Sequence, residues 1–195
     1  MALKPLNHTG SVPLQTERLM LRPTRLSDAE QMFANWASDP QVTQYLSWEA
    51  HADVEVTKSV LALWNRENER ADRYHWGIVL KETGQIIGTV GVLTLQEQWQ
   101  SAEIGYCIGR DHWGKGYMSE AVAALFAHLF TTVGLNRITA RHDLDNIASG
   151  RVMQKCGMAF EGVERKARYC ARRGFYDAAC YAILKSDFED QGGIA

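Results

Sequence analysis

The feature that most constrains this chain is the junction between residues 101 and 133. Residues 101–108 alternate in polarity and read as a strand. Directly after it, Gly109, Gly114 and Gly116 fall close together. Met118, Val122, Leu125, Leu129 and Val133 then recur every three or four residues, the period of a helix with one buried face. Glycine lets a ligand approach the backbone closely. The helix start adds unpartnered N–H groups and the positive end of the helix dipole, so the turn is a candidate phosphate site. Trp113, Lys115 and Tyr117 surround it with a cation and amphipathic rings. Without them, the glycines would serve equally well to make a tight turn.

Two nucleotide-binding patterns compete for this turn. Gly109, Gly114 and Lys115 match a P-loop for seven positions, but the eighth is Gly116, which has no hydroxyl to hold magnesium. No following strand ends in a clear magnesium-binding aspartate. A dinucleotide fingerprint needs a third glycine, and the turn comes mid-chain after an apparent meander.

The rest of the chain reads as one mixed α/β unit. Residues 1–15 carry Pro5, Gly10 and Pro13 without periodicity and read as a loosely held tail. Residues 16–22 alternate, with Leu19 and Leu21 on one face, as a first strand. Ser27 and Glu30 have capping-box spacing for a helix burying Phe33 and Trp36, stopped at Asp39-Pro40. Residues 53–68 read as a second helix. Strands follow at 74–80 and 85–95, joined by a turn at Gly84. After the 116–133 helix come a strand at 136–142, a helix at 147–156 closed by Gly157, and strands at 158–165 and 176–185. The expected unit is a central mixed sheet of six to seven strands flanked by about four helices, over residues 16–190.

Composition narrows the function. The chain has 195 residues, 46% of them hydrophobic, with a net charge of -2. One domain of this size can bury its own core, and the charge argues against direct nucleic-acid binding. Cys107, Cys156, Cys170 and Cys180 lack metal-ligand or CxxC spacing and read as free thiols. His142, Asp143 and Asp145 lack the further ligands a metal site needs, so residues 143–146 read as a polar capping turn and no metal is expected. No apolar leader or membrane-spanning run is visible, which makes the cytoplasm the expected location.

At these residues the sequence resembles the GNAT acetyltransferases, and in particular their branch of RimJ/RimL-like ribosomal-protein N-terminal acetyltransferases. The likeness rests on four segments: Thr16-Glu-Arg-Leu-Met-Leu-Arg-Pro23 with Asp28 to Glu30 and Asp39-Pro40; Ala102-Glu-Ile-Gly-Tyr106; Trp113-Gly-Lys-Gly-Tyr117 with Glu120-Ala121; and Asn146-Ile-Ala-Ser149 through Lys155-Cys-Gly-Met158. The resemblance implies a single GNAT-like domain that moves an acetyl group from acetyl-CoA to an amine acceptor, either a peptide N-terminus or a small molecule. It implies that Tyr106, Cys107 and Ile108 pair with the pantetheine arm. Amides of Trp113, Gly114, Lys115, Gly116, Tyr117, Met118 and Ser119 would hold the pyrophosphate. Asn146 would contact acetyl-CoA from the next turn. The resemblance leaves room for a homodimer.

Two positions depart from the family. Asp111 stands where most of the superfamily has Gln or Arg, and Arg110 would supply the missing cation. Met153 stands where many relatives carry an acidic tyrosine, which leaves Ser149, one turn earlier, as the expected proton donor. Glu103, three residues before Tyr106, is the expected general base through a water; its rival role is an ordinary strand carboxylate. Arg165, Lys166, Arg168, Arg172 and Arg173 form a basic cluster expected between the last two strands. A non-catalytic acyl-CoA sensor is the alternative from a different class.

Overall fold

A computed structural model describes residues 4–170 and 173–192. The order is β1 (Leu14–Gln15), β2 (Leu19–Arg22), α1 (Ala29–Met32) running into a π turn at Phe33–Ala37, α2 (Pro40–Thr43), α3 (Val54–Glu67), β3 (His75–Leu80), β4 (Ile86–Gln96) and β5 (Ser101–Ile108). Next come α4 (Tyr117–Ala127) running into a π turn at His128–Val133, β6 (Arg137–Asp143), α5 (Ile147–Lys155), β7 (Ala159–Cys170), β8 (Gly174–Leu184) and α6 (Lys185–Asp190).

These strands form one sheet of eight, in the order β1-β2-β3-β4-β5-β6-β8-β7. Every neighbouring pair is antiparallel except β5 and β6. That parallel seam is short: Ser101, Ala102 and Glu103 pair with Arg137, Ile138 and Thr139. Beyond Glu103, β5 stays paired to β4 through Ile108, and β6 stays paired to β8 through Asp143. The sheet therefore forks, leaving the β6-facing edge of Ile104–Ile108 without a strand partner.

Burial follows from what covers each face. On β2–β4 one face meets α4, and the other meets α1 and α3 through Met32, Trp36 and Leu61. Accordingly β3 is buried at nearly every position and reads as a continuous apolar run rather than an alternating one. On β5 and β6, Ala102, Ile104, Ile138 and Ala140 enter the core with α4. Their neighbours Glu103, Thr139 and Arg141 face a polar hollow on the opposite face.

Several elements match the sequence closely. Asp53 caps α3, its Oδ1 accepting from the Val56 amide at 3.0 Å, and Asn68 closes the helix. Such a cap contributes about 1 kcal/mol. Asp39 ends the first helical segment but also caps α2, with Pro40 in its first turn.

Other elements depart from it. The sheet has one strand more than the upper expected count, because Leu14–Gln15 pairs with Leu21 and Met20. Residues 7–15 are not a loose tail. The Asn7 amide donates to the Val133 carbonyl at 2.9 Å, and the indole of the buried Trp76 donates to the Val12 carbonyl at 2.7 Å. A buried indole N–H needs an acceptor, and this segment supplies it. The reciprocal cap before α1 is made by Asp28, which accepts from the Arg25 amide and pairs with Arg22, while Glu30 stays in solvent. The basic stretch 165–170 lies on β7 rather than in a loop, and Arg172 lies outside the described residues.

Candidate active site

The turn after β5 has the conformation that its glycines permit. Gly114 and Gly116 have φ of 72° and 82°. Nothing crowds Gly114, so its requirement is for backbone conformation, not space. Gly116 is the cap residue of α4 and offers no side-chain bond to the helix. The first amide inside α4 with a backbone acceptor is Glu120, which donates to the Gly116 carbonyl at 3.1 Å. The amides of Tyr117, Met118 and Ser119 thus lie in the first turn, where no intrahelical acceptor exists. They border a cleft of about 770 Å³ that also reaches Tyr106, Cys107, Ile108, Trp113, Asn146 and Ser149.

Asn146 and Ser149 lie on the far wall of this cleft. The Asn146 side chain caps α5 by accepting from the Ser149 amide at 3.3 Å. This places Ser149 Oγ 3.0 Å from the Tyr106 hydroxyl, which also donates to the Ser149 carbonyl at 3.1 Å. Burial raises the Tyr106 pKa, outweighing its hydrogen bond to Ser149, so the phenol is neutral at physiological pH. Met153 is buried in the core below and carries no proton to give.

Three expected site residues lie elsewhere. Glu103 does not line this cleft. One carboxylate oxygen binds the Arg141 guanidinium and the other lies 3.6 Å from that of Arg168. Arg141 and Arg168 both also meet Glu164, which closes a ring of four alternating charges. Burial disfavours the Arg141 charge, but hydrogen bonds and charge attraction from Glu103 and Glu164 win and raise its pKa. Glu103 therefore ties β5 to β6 and β7 where the fork opens. Arg110 turns to Asp39, with Nε to Oδ2 at 3.0 Å, and not toward the helix start. The exposed Lys115 stays outside the cleft and offers its carbonyl to Arg18 at 3.0 Å. Asp111 is exposed and is also absent from the cleft lining.

A family model described as an acetyltransferase (GNAT) domain matches residues 18–159. The chain belongs to the GNAT acetyltransferase family. It is 35% identical to the N-acetyltransferase p20 of Bacillus licheniformis, over 90% of this chain and 97% of that protein. It is 25% identical to the [ribosomal protein uS5]-alanine N-acetyltransferase of Escherichia coli, over 80% of this chain and 82% of that protein. The crystal structure of a GNAT-family acetyltransferase from Bacillus anthracis shares the fold with a TM-score of 0.78 at 26% identity, covering 90% of this chain and 99% of that one. The protein is thus an acetyl-CoA-dependent N-acetyltransferase.

The GNAT cleft contains residues that sequence reasoning missed. Arg151 and Lys155 on α5 line it opposite the α4 amides. Their spacing of four residues on one helix face was the available signal. His112 also lines it, its pKa lowered by burial and then by Lys115. Arg18, from the turn before β2, clamps the loop from behind. It binds the Glu120 carboxylate with Nε at 2.7 Å and lies 4.6 Å over the Tyr117 ring. Glu120 also accepts from the Thr16 hydroxyl at 2.5 Å. Tyr45, two residues past α2, also lines the cleft, whereas the buried Trp36 packs in the core. Cys107 and Cys156 are free thiols whose pKa burial pushes up, Cys156 to about 12, so neither is a nucleophile at neutral pH. Among the described residues no helix is long and apolar enough to cross a membrane.

Proposed function

We propose that this acetyltransferase acts on the N-terminal α-amine of a protein, in the manner of the RimJ/RimL branch, by direct transfer with Ser149 as proton donor. The observation that carries the mechanism is the Tyr106–Ser149 hydroxyl pair, set in one cleft with the free amides of α4. Acetyl-CoA supplies an activated acyl thioester. The residues present fit it: unpartnered amides from Gly114 to Ser119 and the cations Arg151 and Lys155 suit phosphate oxygens. The open edge of β5 at Tyr106–Ile108 suits an extended amide-bearing arm. As the amine nitrogen bonds the acetyl carbon and the carbon–sulfur bond breaks, Ser149 Oγ would give its proton to the departing sulfur; the nitrogen would release its surplus proton to water, and Ser149 would regain a proton from water through the Tyr106 hydroxyl. The side chains of Arg110 and Lys115 have no direct part.

The acceptor assignment rests on proton chemistry. The carboxylate of Glu103 already faces two guanidinium groups, so we assign it to holding the fork rather than to taking a proton. Uptake of the free amine then governs the rate. An α-amine with pKa near 7.8 is ~14% unprotonated at pH 7, whereas a lysine-type amine near 10.4 is ~0.04% unprotonated. Such a site favours α-amines by a factor of a few hundred on this ground alone. The likeness to the uS5-alanine enzyme supports the same choice.

The test is CoA thiol release with peptides of varied N-terminus beside polyamines, amino acids and amine antibiotics. Peptide-dependent release is expected, with kcat/KM rising from pH 6 and levelling off near pH 8. Ser149→Ala is expected to lower kcat roughly tenfold or more with KM for acetyl-CoA unchanged. Release with small amines alone reassigns the acceptor. Tight acetyl-CoA binding without release from any amine overturns the proposal.

A further inference from the structure

Beside the cleft sits a cluster that the transfer chemistry does not use. The Asp143 carboxylate, at the end of β6, is only 5% exposed. Its Oδ1 accepts from the Asp145 amide at 2.9 Å, and its Oδ2 binds the Arg173 guanidinium. Arg173 reaches in from the residue just before β8. Its guanidinium carbon lies 4.9 Å from the centre of the Tyr45 ring and 5.4 Å from that of Tyr176. A weaker contact runs to Asp145 at 3.7 Å, and the Arg173 amide donates to the Cys170 carbonyl at 3.1 Å. Two aromatic rings and a buried carboxylate thus flank one partly exposed cation. This is the chemistry by which proteins recognise positively charged ligands.

Three parts of this cage come from separate places in the fold: Tyr45 from the turn after α2, Asp143 from β6 and Tyr176 from β8. Only the cation comes from the β7–β8 turn. A buried carboxylate without a counter-charge is disfavoured, so the cage favours holding a cation. An arginine side chain can withdraw by rotating its own torsions and leave the three cage groups in place. Tyr45 and Asp145 also line the cleft that holds Tyr106 and Ser149, so the cage opens beside the proposed site of transfer.

We propose that the Tyr45–Tyr176–Asp143 cage is a subsite for a positive charge on the acceptor, and that Arg173 is its resident placeholder. The preferred acceptor then carries a cation close to its reactive amine, as in a peptide with arginine at its second position. This rests on the proposed amine-acetylating function only for the purpose the subsite serves; the cage itself is tested by binding.

Calorimetry on the full chain saturated with CoA makes the test. The probes are a short peptide with a free N-terminus and Arg at position two, its norleucine counterpart, and agmatine. Removing a placeholder that fills the cage most of the time raises apparent affinity by the inverse of the free fraction. Arg173→Ala is therefore expected to bind the Arg peptide roughly tenfold tighter than the wild type, with the norleucine peptide unchanged. Adding Asp143→Asn is expected to erase the gain. A gain for agmatine without one for the Arg peptide assigns the same subsite to small cationic amines. No gain for either cation, or a gain that survives Asp143→Asn, overturns the proposal. Should Arg173→Ala fail to fold, Arg173→Gln makes the same comparison. Thiol release by the wild-type enzyme, measured in parallel, reports on acetyl transfer separately, so failure of one does not pass for failure of the other.

Discussion

The two sides of the sheet fork are built by different means. On the β5–α4 side, the site is backbone: αL glycines, first-turn amides and an unpaired strand edge. On the β6–β8–β7 side, it is side-chain charge: the Glu103–Arg141–Glu164–Arg168 ring and the Asp143–Arg173 pair. Backbone devices serve any chain that must hold a pyrophosphate, because amides are the same in every sequence. Charge arrays can be rewired one residue at a time, which suits the side that selects an acceptor. On the proposed reading, the first half holds acetyl-CoA and the second selects the acceptor.

Substitutions should divide along the same line. The largest effect is expected from Gly116→Val. A β-branched residue at φ of 82° forces the loop to move, and left-handed backbone alone costs an L-residue about 1–2 kcal/mol. Roughly 10- to 100-fold lower kcat/KM for acetyl-CoA should follow, with the affinity for acceptor little changed. An unchanged value would mean that the loop is not the phosphate cradle. Arg18→Ala removes the clamp on Glu120 and on the Lys115 carbonyl. Roughly fivefold weaker acetyl-CoA binding is expected, smaller because the Arg18 side chain is partly solvated.

Acid should strike the first half before the second. His75 packs against Trp64 with ring centres 4.1 Å apart, and burial pushes its pKa down to about 4. The unfolded chain binds this proton near pH 6.5, so the stabilisation from neutral His75 is whole above that pH and declines as pH falls toward 4. The slope is at most about 1.4 kcal/mol per pH unit, roughly 3–5 °C in Tm for a chain of this size. His75→Gln should flatten the Tm curve between pH 6.5 and 4; a curve that keeps its slope would place the acid sensitivity elsewhere. All six tryptophans precede β6, so indole fluorescence reports on this half alone. The smallest effect is expected from Glu103→Gln: a Tm lower by a degree or two and an unaltered pH–rate profile. A profile whose acid limb shifts would restore Glu103 as the base.

What could be read beforehand follows the same division. The glycine turn, the α4 stripe and the Asn146–Ser149 cap are local, set by residues a few positions apart, and the sequence displays them directly. Asp53 and Asn68 at the ends of α3 were legible for the same reason. Arg18 clamping Glu120, Arg110 turning to Asp39 and Glu103 meeting Arg141 and Arg168 join residues dozens of positions apart. A charge pattern alone does not say which partner each will find. Glu103, expected beside Tyr106 in the cleft, lies outside it because strand alternation sends residues 103 and 106 to opposite faces. Residues 7–15 have no period because hydrogen bonds to Val133 and Trp76, not burial of an apolar stripe, hold them.

The three-residue parallel seam has a consequence for how the protein is made. Its strands are separated by the whole of α4, so residue 101 waits for residue 137 before they can pair. Until then the cleft has one wall, β5 with α4; the opposite wall comes only when β6 and α5 bring Asn146 and Ser149 across from it. Long-range parallel pairing is slow to form, and domains emerge from synthesis N-terminus first. A nascent chain that has released β1 to α4 therefore holds most of the hydrophobic core but no enclosed site. Competence to bind acetyl-CoA should arrive abruptly and late in translation, once residues beyond 155 have left the ribosome.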